Sequence, residues 1–363
     1  MYHQYLQGRE VWNTMAKTIL GVDIGSDSLK LALVNNGYVK KSVVVPIPNN
    51  LVKDYRTVSV ETMGELIRNT MKENGIHCRN AALVLPNELV YVRTVTMPKM
   101  TIEQLIYNLP FEFRDYITEE LKDYAYDYAM VTTPEEMMKE PEEKPENADG
   151  SFEEETEEVE NSMELLAAAA PLTLLEESRA ILRKAGLRMK KAAPTVCSYV
   201  SLIRGLEKRG GGVGEYCILD LGYQSVRMYM FNGERHMVTR NLESGLSSLD
   251  GVIADSYNVD VHLAHTYLLT NYDDCQNSEA CRNAYGNIAV ELMRALNFYR
   301  FSNPDSQLEH IWLCGGGAVI APLRKAIADT LDMKVHQARE LLPGGDQVEA
   351  GFELVQAIGV TMD

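Results

Sequence analysis

Two stretches of this 363-residue chain carry the same order of apolar and polar positions. In the first, an apolar run through Leu20 and Val22 meets Asp23-Ile24-Gly25-Ser26-Asp27-Ser28-Leu29-Lys30, resumes to Val34, and reaches Asn36-Gly37. In the second, Ile218-Leu219 meets Asp220-Leu221-Gly222-Tyr223-Gln224-Ser225-Val226-Arg227, resumes to Phe231, and reaches Asn232-Gly233. Both read D-x-G-x-x-S-x-[K/R]. Asn-Gly between apolar runs signals a tight hairpin, because both central residues of a type I′ turn take positive φ. Each stretch therefore predicts the opening antiparallel strands of a sheet, and two copies predict a duplicated α/β architecture.

Helical spacing fills the intervals. Met63, Leu66, Ile67 and Met71 predict a helix over 60–74 that stops at Asn74-Gly75. Strands are predicted at 81–85, 87–97, 124–132 and 163–169, and a helix over 101–116 interrupted at Pro110. Helices follow at 172–185 and 192–206, then a glycine linker at 210–214. Beyond the second hairpin the pattern gives helices at 247–257, 261–269, 285–301, 322–331 and 351–360, with a short strand at 308–313. Residues 134–160 break the pattern: they hold thirteen Asp/Glu and two Lys. Such a segment cannot bury enough apolar surface to offset its ordering entropy, so it is predicted to be a disordered insertion.

That insertion changes how the charge is read. The chain's formal net charge is −17, of which the insertion carries −11. The remainder is only mildly acidic and shows no basic stripe, which argues against nucleic acid as a partner. The six cysteines form no C-x-x-C, and several lie in apolar runs, so reduced thiols are expected; Cys275 and Cys281, in a polar stretch, are the one pair that can be drawn. No run approaches the ~18 apolar residues of a membrane span. Residues 1–16 lack the apolar core of a signal peptide and read as a flexible N-terminal extension, and no basic amphipathic tail closes the chain.

The hairpins carry the candidate chemistry. A polyanion held between strands needs close backbone approach, hydroxyl donors and a cation: Gly25, Ser26 with Ser28, and Lys30 supply them. Asp23, at a strand end, suits Mg²⁺ held through water. Asp220, Gly222, Gln224 and Ser225 repeat the arrangement, and a third element, Cys314-Gly315-Gly316-Gly317-Ala318, lets backbone approach a flat ring. Gly245 either admits a ribose or caps the following helix. His262 and His265 share a helix face, as a metal pair or as a satisfied surface pair.

The order D-x-G hairpin, D-x-G hairpin, G-G-G resembles the actin, Hsp70 and sugar-kinase superfamily. Within it the chain is similar to the type IV pilus assembly family PilM, related to the cell-division protein FtsA. The resemblance rests on VDIGS at 22–26, VTMP at 95–98, FEFRDYI at 111–117, RKAGL at 183–187, LMRALNFY at 292–299 and IWLCGGG at 311–317. It implies a duplicated actin-like (RNase H-like) two-domain fold with an inserted α+β subdomain, 1C, of SHS2 type. The implied bounds are 17–87 and 192–212 for subdomain 1A, 88–191 for 1C, 213–248 and 308–363 for 2A, and 249–307 for 2B. It also implies ATP and Mg²⁺ between the hairpins, and a cytoplasmic protein tied to the inner face of the cell membrane through partners. Those partners are the cytoplasmic tail of PilN, a bitopic membrane protein, and other inner-membrane pilus components. The segment 192–200 departs from efficient ATPases of the superfamily, since it holds no carboxylate or amide to orient an attacking water. ATP binding with slow or no hydrolysis is the expectation; the alternatives are a kinase or phosphohydrolase of the same superfamily, or an FtsA-like membrane-tethering filament protein.

Overall fold

The computed structural model describes residues 18–131, 162–242, 244–345, 348 and 351–362. The expected N-terminal extension at 1–16 and the acidic insertion at 134–160 lie outside them. The described residues form two compact units, a core built from 18–85 and 177–362 and an inserted unit within 86–176.

In the core, β1 (Thr18–Ile24) pairs antiparallel with β2 (Ser28–Asn35) in an unbroken register from Thr18↔Asn35 to Ile24↔Leu29. β3 (Tyr38–Pro46) follows across Asn36 and Gly37, whose φ values of 49° and 78° are the signs a type I′ turn requires. A two-residue-per-strand hairpin, β4 (Val52–Lys53) and β5 (Arg56–Thr57), precedes α1 (Val60–Glu73). The Ser59 hydroxyl caps α1 by accepting from the Thr62 N–H. Ser59→Ala should lower stability by about 1 kcal/mol, read as a shifted midpoint in urea denaturation. β6 (Asn80–Leu85) then lies parallel to β1.

The second half repeats the plan. β11 (Glu215–Leu221), β12 (Val226–Asn232) and β13 (Arg235–Leu242) form the antiparallel triple, and β14 (His310–Cys314) and β15 (Lys334–Gln337) extend it in parallel. With β10 (Arg188–Pro194) at the far edge of the first sheet, the strand orders are β10-β6-β1-β2-β3 and β13-β12-β11-β14-β15, so each sheet has three antiparallel strands on one side and two parallel ones on the other. The second turn differs from the expected type I′. Asn232 pairs with Arg235, which makes Gly233 and Glu234 the central residues, and only Gly233 has positive φ, at 52°. That places glycine where a type II′ turn wants it.

Helices α5 (Leu246–Tyr257), α6 (Val261–Thr270), α7 (Glu279–Ser302) and α8 (Ala321–Thr330) belong to this half, and their apolar faces join the second sheet in one core through Leu219, Met228, Leu249, Leu292 and Leu313. α4 (Thr195–Lys208) links the halves, and α9 (Val355–Gly359) returns to the first. Val360 thereby joins Ile19, Ala82, Val84 and Ala193 in the core of the first sheet.

The inserted unit has a three-stranded antiparallel sheet, ordered β7 (Tyr91–Pro98), β9 (Ser162–Pro171) and β8 (Tyr124–Met130). α2 (Ile102–Asn108) carries a capping box from Thr101 and Gln104, and the chain tightens to a 3-10 turn over Leu109–Phe113, where Pro110 sits. Val95, Leu105, Phe113 and Leu165 form its core. The second boundary of this compact unit falls inside α3 (Leu172–Lys184), and β10 (Arg188–Pro194) pairs with β6 in the core sheet. Arg-Met-Lys-Lys-Ala-Ala-Pro has no apolar alternation, so that strand is set by its parallel neighbour rather than by its own pattern. The helix expected from 192 starts at Thr195, just after Pro194. No disulfide joins any of the six cysteines, Cys275 and Cys281 included.

Candidate nucleotide site

Both D-x-G motifs fold the same way. Gly25 donates its backbone N–H to Ser28 O at 3.0 Å, and Gly222 donates to Ser225 O at 3.2 Å. The seven-residue spacing from Asp to the basic residue makes each a cross-strand pair: Asp23 faces Lys30 in the β1–β2 register, and Asp220 faces Arg227 in β11–β12. The pairs close to 3.4 Å between Lys30 Nζ and Asp23 Oδ2, and to 3.5 Å between Arg227 Nη1 and Asp220 Oδ2. Asp23 is 6% exposed and Asp220 5%. Carboxylates this deep persist only with partners.

The two hairpins come within each other's field. Burial raises the pKa of Asp23, Lys30 works against that rise, and the like charge of Asp220 adds to it. Burial disfavours the Lys30 ammonium, yet Asp23, Asp220 and Glu353 outweigh it and hold its pKa above the ordinary lysine value. Glu353 is itself pushed up by burial, with Lys30 opposing and Asp27 adding. The result is a compact cluster of fixed charges drawn from β1, β2, β11, β12 and the segment before α9.

A second layer holds Asp220. Gln356 on α9 donates from Nε2 to Asp220 Oδ2 and to the Tyr199 hydroxyl, both at 2.8 Å. The Tyr199 hydroxyl also lies 3.4 Å from Cys314 Sγ. Pattern reading missed Gln356 and Tyr199; the available signal was a lone amide in the apolar run Val355 to Val360. The glycine run sits against this layer. Gly315 has φ 86° and ψ 171°, a region essentially confined to glycine, and a Cβ there would lie 2.5 Å from Asp220 Oδ1. Gly316–Val319 then form a 3-10 turn ahead of α8.

The remaining sequence-derived residues fall as follows. Ser26 lies in the first loop, Ser28 opens β2, and Gln224 and Ser225 lie in the second loop. Gly245 is the N-cap residue of α5, where a Cβ would meet the second loop's backbone at 2.4 Å from Tyr223 O. His265 faces the carboxylates of Asp250 and Asp27, the surroundings of an imidazolium rather than of a surface pair with His262. Among the described residues no three His, Cys, Asp or Glu side chains converge to hold a metal ion.

Comparison with known proteins bears on the whole arrangement. A chain of the solved PilM-PilN type IV pilus biogenesis complex is 22% identical, with 95% of this chain and 98% of that chain aligned at a TM-score of 0.75. The ethanolamine utilization protein EutJ from Carboxydothermus hydrogenoformans is 14% identical, with coverage of 99% and 96% and a TM-score of 0.56. The shared architecture is the actin-like fold. The sequence profile of the family described as type IV pilus assembly protein PilM matches residues 21–145 and 151–340. That match takes in both hairpins, the inserted unit on either side of its acidic stretch, and the glycine run, so the chain belongs to the PilM family of type IV pilus assembly proteins.

Proposed function

We propose that this chain is an ATP-binding scaffold of type IV pilus assembly, in which Mg²⁺-ATP between the hairpins sets how the two halves of the core meet. The observation that carries this reading is the matched pair of buried cross-strand ion pairs, Asp23–Lys30 and Asp220–Arg227, lying within one electrostatic cluster. The residues present fit the ligand. Lys30 and Arg227 supply positive charge for phosphates, and Gly25 lies so near that a Cβ would be 2.5 Å from Lys30 Nζ. Asp23 and Asp220 offer oxygen to a hydrated Mg²⁺, the hard-ligand environment it prefers. Ser26, Ser28, Gln224 and Ser225 would donate to phosphate oxygens, Gly222 would admit them, and Gly245 and Gly315 to Gly317 would flank the nucleoside.

Turnover should be slow. Residues 192–200 hold no carboxylate or amide, and the Gln356 amide at the junction is engaged by Asp220 and Tyr199. That segment would offer no orienting base to a water facing the terminal phosphate. The role in assembly comes from the family and from the relative solved in complex with PilN. By the same token the partner here would be the cytoplasmic tail of a PilN-like membrane protein, which would bring this chain to the membrane. No helix among the described residues is long and apolar enough to cross one.

The test is fluorescence anisotropy with a labelled tail peptide. Mg²⁺-ATP should change tail affinity by about 5-fold or more, a typical coupling between linked sites. Equal affinity for wild type and for an Asp23→Ala, Asp220→Ala double variant would sink nucleotide gating.

A further inference from the structure

Each phosphate hairpin is also gripped by a side chain from the opposite half of the core. Asp27, in the first hairpin loop, places Oδ1 3.3 Å from Nε2 of His265 on α6. The other ring nitrogen, Nδ1, lies 3.0 Å from Oδ2 and 3.1 Å from Oδ1 of Asp250 on α5, a carboxylate only 1% exposed. The Tyr223 ring meets the imidazole edge-on, with ring centres 5.1 Å apart. The reciprocal contact comes from Tyr55, in the turn between β4 and β5 of the first half. Its hydroxyl is 3.4 Å from Ser225 Oγ in the second hairpin, and the Arg227 guanidinium lies 5.3 Å from its ring centre. Tyr55 and its neighbour Asp54 have φ of 64° and 48°, a conformation bulky residues rarely take. The turn is held in a strained form that puts the tyrosine on the opposite hairpin.

An imidazole between two acids is a cation. Burial alone would lower the pKa of His265, but its hydrogen bond to Asp250 and the nearby carboxylates of Asp250 and Asp27 push it up to about 10. The groups facing it are Asp27 from the first hairpin, Asp250 from α5 and Tyr223 from the second hairpin, with the field of Glu353 reaching Asp27. Because the pKa is raised on folding, the bridge is fully present below the ordinary histidine value and is lost as pH rises through about 10. At neutral pH His265 is therefore charged and anchored by a buried acid while it reaches across to the loop.

We propose that His265 and Tyr55 are positioning residues for the nucleotide, each fixing one phosphate hairpin to the opposite half so that the halves are drawn together before ATP arrives. This rests on the nucleotide reading of the hairpins. A ligand entering such a site meets loops already ordered, so these two residues should act mainly on how long it stays.

The first test uses nucleotide-free full-length protein. In hydrogen exchange, His265→Gln and Asp27→Asn should each speed exchange in peptides covering 25–29 by about tenfold, the equivalent of one charge-assisted contact. The double variant should be no faster than the faster single variant, because the pair acts as one unit. Tyr55→Ala should do the same to peptides covering 222–226. Histidine-labelled NMR supplies a reading that simple packing would not move: Asp27→Asn should shift the His265 titration toward neutral pH. Release of a fluorescent ATP analogue should then quicken about tenfold in all three single variants. Unchanged exchange in the hairpins, or additive effects of His265→Gln and Asp27→Asn, would overturn the grip while leaving ATP binding intact. Failure of wild type to bind any adenine nucleotide would instead remove the nucleotide reading, and this proposal with it.

Discussion

Chelating magnesium should weaken ATP binding by the wild-type protein about a hundredfold, as expected when two charge-assisted contacts are lost. Replacing Asp23 and Asp220 together by Asn should erase that dependence. Both carboxylates are nearly excluded from water, and the like charge of Asp220 raises the cost of ionising Asp23. A bare triphosphate entering such a pair adds like charge where solvent cannot screen it. A divalent cation held by the same oxygens reverses the sign of that interaction. The asparagines keep the size and an acceptor oxygen but remove the charge, so Lys30 and Arg227 would then draw in the triphosphate unaided. Calorimetric titration with ATP in Mg²⁺ and in EDTA, on both proteins, reads the effect directly. Equal wild-type affinity in the two buffers would show that the aspartates do not hold the metal.

The second large effect is expected at Gly315. Gly315→Ala should destabilise the protein by about 3 kcal/mol or more, since it combines glycine-only backbone geometry with a buried clash. A Cβ would stand 2.5 Å from Asp220 Oδ1 and 2.7 Å from Leu221 O. Relief would require moving β11 or breaking the Gln356 bond to Asp220. Gly37 is the control, because its φ is 78° but a Cβ added there would meet no atom within 4 Å. There only the backbone term applies, and Gly37→Ala should cost about 1 kcal/mol. Urea denaturation of both variants separates the clash from the conformational term.

The two halves were legible in the sequence because the D-x-G-x-x-S-x-[K/R] spacing has a single structural consequence. A strand, a tight loop and a returning strand put the basic residue directly opposite the aspartate, as both registers show. The apolar helices of the second half were legible for the same local reason. What stayed hidden depends on long-range placement. β10 has a polar, alanine-rich sequence and becomes a strand only beside β6. Gln356, Tyr199, Asp250 and Tyr55 lie far from the hairpins along the chain, and no spacing rule links them. Helix spacing pairs His265 with His262, whereas its partners in space are carboxylates on α5 and on the first loop.

The return of α9 to the first sheet bears on how the chain acquires its fold during synthesis. Ile19 and Ala82 emerge from the ribosome early, yet Ala193 and Val360 complete the packing around them. The amino-terminal sheet therefore waits, with an apolar face unfilled, until almost all of the described chain has been translated. Contacts so remote in sequence slow folding and prolong exposure to aggregation. Nascent chains halted just short of residue 355 should consequently be protease-sensitive at β1 and β6, although their own residues are all present.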